Sequence, residues 1–203
     1  YDYANRIFLN ASFRRDASSR FHPDNRWGNF WSLGAAWLIN EESWFNAPWM
    51  DMLKFKASYG SQGNDAIGNY RYTDTYSVAP LNGQIATTFE TKGNKDITWE
   101  TNENFNTGIE FGLWGSRLSG SIEYFYRKTS DMLFFFNVAT SSGYSGYYDN
   151  IGDMRNSGVE VALNGTIFNT RNFRWDVYAN ATHYTNKVIR LPEKNKRTEH
   201  EGH

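Results

Sequence analysis

Apolar and polar residues alternate along seven stretches of this chain, each about ten positions long. Ile7, Leu9, Ala11 and Phe13 interleave with Asn10, Ser12 and Arg14, and Trp31, Leu33, Ala35, Trp37 and Ile39 with Ser32, Gly34 and Ala36. A period of two belongs to a β-strand whose two faces meet different media. The pattern predicts strands over Asn5 to Arg14, Gly28 to Ile39, Leu53 to Gln62, Asn102 to Leu113, Arg117 to Lys128, Ser157 to Thr166 and Phe173 to Thr185.

The connections alternate as well. Trp114 to Ser116 and Ile167 to Asn172 are short enough for hairpins, whereas Asp16 to Arg26, Gly63 to Glu100, Met132 to Asn156 and the charged end from Asn186 onward gather on the opposite side. Short turns on one rim and long loops on the other are the asymmetry of an outer-membrane β-barrel. The connection Asn40 to Met52 is long although it falls on the short side. Its Trp44, Phe45, Trp49 and Met50 suit an aromatic foot at the membrane interface or a short helix.

Composition sharpens this picture. Apolar residues make up only 39% of the 203 and mean hydropathy is -0.70, yet 18% are aromatic: 8 Trp, 13 Tyr and 15 Phe. Amphipathic rings are suited to boundaries between lipid and water. No apolar run reaches the length of a membrane helix, whereas a barrel strand needs only about 9 to 11 residues, alternately apolar. Seven strands leave open edges that hydrocarbon does not tolerate, so the wall is expected to continue in further chain. Tyr1, with no leader before it, fits a piece of a longer mature protein. A soluble sandwich would instead need a second sheet over the apolar face.

Charge narrows the partners. The net charge of -1 shows no basic stripe, which sets nucleic acid aside, and the lack of cysteine removes disulfides, thiolate metal sites and cysteine nucleophiles. In the fifth strand, Leu118, Gly120, Ile122, Tyr124 and Tyr126 alternate with Ser119, Ser121, Glu123, Phe125 and Arg127. Glu123 is then expected to meet Glu110, Lys54, Lys56 or Glu160 in a polar lumen. Arg14, Arg15, Asp16 and Arg20 suit an ion-pair network pinning a loop to the rim, with ligand contact as the alternative. Gly60, Gly63 and Gly68, where a strand leaves the membrane, suggest tight bends or positive φ, or plain loop punctuation.

Several segments, in order, carry a family likeness: Phe13-Arg14-Arg15-Asp16-Ala17-Ser18-Ser19-Arg20-Phe21, Asn25-Arg26-Trp27-Gly28, Leu53-Lys54-Phe55-Lys56-Ala57-Ser58-Tyr59-Gly60-Ser61-Gln62-Gly63-Asn64, Thr98-Trp99-Glu100-Thr101, Arg117 to Tyr124 with Lys128 to Leu133, and Asn150 to Glu160. Over nearly the whole chain the sequence resembles the C-terminal barrel region of the SusC/RagA family of TonB-linked outer-membrane transporters. The resemblance implies an all-β fold of antiparallel transmembrane strands, with residues 1–203 forming part of a 22-stranded barrel in the bacterial outer membrane. It also implies a plug and a TonB-contacting segment, both outside this chain, and a SusD-like surface lipoprotein as lid. The implied activity is TonB-driven import of oligomeric nutrients, oligosaccharides first and peptides second, with no cofactor.

Sugars present C–H faces to rings and hydroxyls to amides, carboxylates and guanidinium groups. Tyr70, Arg71 and Tyr72 with Asp74 and Tyr76, and Tyr144, Tyr147, Tyr148, Asp149 and Asn150, have that make-up and are the candidate ligand residues, with interfacial girdles or loop packing as the alternative. Asp149 with Asp153, or Glu41 with Glu42, would have to flank a common cleft to hydrolyse a glycoside, and no Gly-x-Ser-x-Gly elbow or histidine triad accompanies them. His200 and His203 with the neighbouring acids could bind a transition metal, with a mobile loop or a cut end as the alternative, and Asp149 with Asp153 near Asn150 could offer oxygen ligands to calcium, though their spacing lacks an EF-hand pattern. The Asn-x-Ser/Thr triplets at Asn10, Asn164 and Asn180 fall inside predicted strands and are read as chance. A soluble glycan-binding module and a barrel-anchored adhesive protein remain as other classes.

Overall fold

The computed structural model describes residues 1–190 apart from Asn82. Eight strands form the main sheet: β1 (Asp2–Tyr3), β2 (Ile7–Ala17), β3 (Trp27–Leu38), β4 (Met50–Asn64), β7 (Glu100–Leu113), β8 (Leu118–Ser130), β11 (Asp153–Asn169) and β12 (Arg174–Arg190). They lie in that spatial order and every neighbouring pair is antiparallel, a meander. All seven strands read from the alternation are present. Several run further toward the long-loop rim: β11 and β12 have 17 residues each, well beyond the length needed to cross hydrocarbon. Above the membrane both faces are wet, so the alternation that marks a span fades before the strand ends.

Register places the apolar positions in common rows. Ile7, Trp37, Phe55, Ile109, Ile122, Val161 and Ala181 lie side by side across the sheet. Ile109 and Ile122 are 37% and 42% exposed, although they sit at the centre of the wall, because that face has no protein cover. Toward the long-loop rim this face ends in rings: Trp31 lies 5.1 Å from Tyr59, Tyr59 lies 6.5 Å from Phe105, and Phe105 pairs with Tyr126. Toward the short turns, Trp37 meets Trp44 at 6.3 Å and Phe168 stacks on Trp175 at 6.0 Å. From Phe105 to Leu113 the strand rises about 27 Å, or about 21 Å of height at a tilt of about 40°. The two aromatic bands therefore bracket a hydrocarbon-sized belt.

The short turns are tied down locally. Trp114, Gly115 and Ser116 all have positive φ, and the turn they make is braced by Asp51, which accepts from the Ser116 amide at 2.8 Å. The connection after β3 contains a single 3-10 turn, Ile39–Glu41, followed by the aromatic pair Trp44 and Phe45. Glu42 there accepts from the Trp37 indole at 3.0 Å and pairs with Arg6 at 3.3 Å. Trp44 and Phe45 pack on each other and toward Trp37, as an aromatic foot would, while none of Trp44, Phe45, Trp49 and Met50 lies in a helix.

The long excursions are not the plain loops the sequence suggests. They contain β5 (Thr75–Leu81), β6 (Gln84–Lys92), β9 (Leu133–Asn137) and β10 (Gly146–Asn150), which form a second, four-stranded sheet in the order β5-β6-β10-β9. Its central pairing, β6 with β10, is parallel and joins segments more than fifty residues apart. Such pairing leaves no local signal, and Pro80 within β5 weakens the signal that is there. Beneath lies the only buried apolar cluster among the described residues, Phe21, Ile67 and Ile97, packed by Tyr72, Trp99, Leu133 and Tyr148.

Candidate functional site

The rim is held by cross-ties among all three excursions. Arg20 pairs with Asp65 at 3.2 Å while Ser18 donates to the same carboxylate at 2.7 Å, and Trp99 donates its indole N–H to the Arg26 carbonyl at 3.0 Å. Of the expected cationic cluster, Arg14 pairs with Asp16 at 3.0 Å and Arg15 lies over the Trp27 ring at 4.8 Å. Gly63 is not a bend with positive φ. A Cβ there would collide with the Phe30 ring and stand 2.8 Å from Trp99, so glycine is required for close packing of two rings that themselves meet at 5.2 Å.

The structure brings the two candidate ligand segments together. Arg71 stacks over Tyr148 with its guanidinium carbon 5.2 Å from the ring, and Asn94 joins them by donating to the Tyr148 carbonyl and to Asp149 Oδ1 at 3.0 and 3.1 Å. Asn150 accepts from the Thr98 amide at 2.7 Å and donates to the carbonyls of Thr98 and Asp131 at 2.9 and 2.8 Å. Tyr72 covers the buried cluster. These side chains shape the rim. Tyr70 is different: it sits at positive φ in a turn and is 64% exposed. Tyr144 packs on Phe89, which packs on Tyr76, each at 5.3 Å, and Tyr147 stacks on Phe136 at 5.5 Å. Asp74 caps the Gly93 amide at 2.9 Å.

Asp149 and Asp153 do not share a cleft. The first is engaged by Asn94; the second is held by Arg190 at 3.1 Å, and that guanidinium keeps its carboxyl below the usual carboxylate range. Glu41 accepts from Asn40, and Glu42 is committed to Arg6 and Trp37. The end containing His200 and His203 lies outside the described residues.

On the inner face of the wall, Glu110 accepts from Lys54 at 3.0 Å and Lys56 at 2.8 Å, and Lys56 reaches Glu123 at 2.7 Å. Glu160 lies opposite Glu123 in register but has no ion-pair partner among the described residues. Toward the rim the inner face becomes amide-rich. Asn102, Asn104 and Asn106 follow one another along β7, Arg127 donates to Asn104 at 2.7 Å, and Asn156 of β11 keeps a buried amide oxygen without a hydrogen-bond partner, as does Asn164 nearer the short turns. In the middle of this lining the Phe125 ring lies over Gly158, where a Cβ would stand 2.8 Å from its Cζ, and Tyr184 flanks the same glycine in register with its Cβ 2.7 Å away. Both residues line a concavity of about 420 Å³, together with Asn104, Asn106, Arg127, Asn156, Glu160 and Thr182. Sequence reading missed this concavity: the run of inward asparagines was visible, but the placement of Phe125 and Tyr184 on either side of Gly158 depends on register.

A wall with one lipid-facing side, one polar side, two aromatic bands and a built-up long-loop rim is a section of an outer-membrane β-barrel. The family model described as TonB dependent receptor-like, beta-barrel, matches residues 1–200. The chain is 31% identical over 199 residues to TonB-dependent receptor P39 of Formosa agariphila, covering 96% of this chain and 19% of that protein. It is 31% identical over 201 residues to TonB-dependent receptor SusC of Bacteroides thetaiotaomicron, covering 94% and 20%. A solved structure of the RagAB peptide transporter superposes with a TM-score of 0.86 at 32% identity, covering 93% of this chain and 21% of that one. The chain belongs to the TonB-dependent receptor β-barrel family, in its SusC/RagA branch, and is part of an outer-membrane protein. It spans about a fifth of the length of these relatives.

Proposed function

We propose that the full-length protein is a TonB-driven importer of oligosaccharides, with this section supplying the barrel wall, part of the outer rim and part of the ligand path. A plug and a TonB-contacting segment elsewhere in the protein would couple transport to energy, and a SusD-like lipoprotein would close the outer mouth. The observation that carries the substrate class is the concavity lined by Phe125 and Tyr184 with its edging of amides. Rings match the C–H faces of a sugar, and each amide both donates and accepts, as a hydroxyl does. Exposed Tyr70, with Tyr144 and Tyr147, would extend the contact to the mouth, while Arg71, Tyr72, Tyr148, Asp149 and Asn150 hold that surface in shape.

Import of peptides is the second reading, supported by the 32% identity to the RagAB peptide transporter. Calorimetry of the purified full-length protein against matched panels of oligosaccharides and oligopeptides separates the two. Saturable binding confined to oligosaccharides, weakened at least tenfold in Phe125→Ala/Tyr184→Ala, is the expected result. Binding confined to peptides would overturn the oligosaccharide reading.

A further inference from the structure

The outward face carries a second feature, just above the aromatic band that marks the rim side of the hydrocarbon belt. Register sets Lys128 of β8 beside Arg155 of β11, and Arg155 beside Lys187 of β12. Two residues below each in its own strand are Tyr126, Ser157 and Thr185; Tyr126 belongs to the aromatic band, and further down the same strands are Ile122 and Val161. The three cations therefore lie at the level where acyl chains end and headgroups begin. Strands are about 4.8 Å apart, so the three positions span about 10 Å.

Like charges set side by side on adjacent strands repel. One carboxylate borders the row: Glu103 of β7 lies beside Lys128 in register and also accepts from Tyr59 at 3.3 Å, while Asp153 is held by Arg190, so three adjacent cations face a single flanking anion. An anion supplied from outside would remove the repulsion. The lipid side of the wall at this height admits a lipid headgroup.

We propose that Lys128, Arg155 and Lys187 form a binding site for the phosphate-bearing headgroup of an outer-leaflet lipid. The aromatic band below sets the depth, the acyl chains run down the apolar rows, and the guanidinium of Arg155, between two ammonium groups, takes the phosphate oxygens. The site is separate from the ligand path, which lies on the opposite face of the same strands.

The test uses the full-length protein in nanodiscs containing a trace of a phosphorylated outer-membrane lipid or its dephosphorylated counterpart, with bound lipid counted by native mass spectrometry. Folded barrel is confirmed by its heat-modifiable gel mobility. Wild type should retain the phosphorylated lipid. Each neutralisation, Lys128→Gln, Arg155→Gln or Lys187→Gln, should weaken retention about fivefold and all three together about a hundredfold, while Lys92→Gln/Lys95→Gln in the rim excursion should have no effect. If the triple variant does not assemble, the single variants give the same reading. Equal retention by wild type and neutralised variants, or equal retention of the dephosphorylated lipid, would overturn the proposal. So would displacement of the lipid by millimolar inorganic phosphate, which would mark a site for the free ion.

Discussion

Ile109→Arg and Asn106→Arg make a direct comparison of the two faces of the wall. Both positions lie on β7, three residues apart, so strand propensity and the new side chain are matched. Ile109 stands between Phe55 and Ile122 on the outward face, and Asn106 between Ser58 and Phe125 on the inward one. Four residues separate Ile109 from Phe105 in the upper aromatic band and four separate it from Leu113 at the short turn. At about 3.4 Å per residue and about 40° of tilt, its Cα lies about 10 Å from either edge of the belt, close to the midplane. Arginine at that depth on a lipid face is unfavourable by about 2 to 4 kcal/mol, whereas an exposed lumen position tolerates it within about 0.5 kcal/mol. The lipid-face penalty is a factor of about 30 to 900 in the folding equilibrium, against about 2 for the lumen position. Urea titration of the full-length barrel refolded into lipid vesicles, followed by heat-modifiable mobility, reads it. Equal midpoints for the two variants, or a lower one for Asn106→Arg, would refute the assignment of faces.

Three further outcomes test the rim. Asn150→Ala removes three side-chain hydrogen bonds to Thr98 and Asp131 and should lower local stability by about 2 to 3 kcal/mol, seen as faster hydrogen exchange and proteolysis across 131–151 with barrel mobility unchanged. Gly63→Ala drives a methyl into Phe30 and toward Trp99 and should destabilise by about 1 to 3 kcal/mol with a changed near-ultraviolet tryptophan signal; an unaltered signal would contradict the packing role. Asp153, at the rim end of β11 and above the lipid belt, has its carboxyl pKa lowered chiefly by the hydrogen bond from Arg190. Its stabilisation of the rim is therefore complete above the unfolded value of about 3.9 and lost as pH falls through the lower folded value. Exchange at the β11–β12 rim end should stay slow at pH 5 and quicken below about pH 4, and Asp153→Asn should abolish that dependence.

The wall was legible in the sequence and the rim was not, for one physical reason. Ile109 and Glu110 meet lipid and lumen on alternate sides, and the medium imposes the period of two directly on the residues. The inward meeting of Lys54, Lys56, Glu110 and Glu123 followed from that parity alone. At the rim no medium imposes a pattern. Tyr147 faces Phe136 and Gly146 faces Thr91 because two excursions fold onto each other, and Asn150 is bound to Thr98 across 52 residues. The aromatic and amide content was visible in Tyr144 to Asn150; which of those groups would be consumed within the fold was not. Phe125 and Tyr184 fell between the two cases, since parity put both residues inward but only register set them on either side of Gly158.

Low hydropathy and abundant aromatics have the same origin. A curved single-layer sheet has no interior of its own: its outer face uses bilayer as cover and its inner face is wet, so neither needs a thick apolar core. Buried apolar residues then collect where the chain must exclude water by itself, above the membrane, and there they are Phe21, Ile67 and Ile97 beneath the second sheet. Because the three excursions are cross-tied through Asp65, Trp99 and Asn150, that small cluster serves all of them, and loosening one should loosen the others. The rim is thereby a unit whose stability is set apart from the wall's. Substitutions in its cluster should release the mouth of the barrel without unseating it from the membrane, whereas substitutions on the lipid face should prevent insertion and leave no mouth to observe.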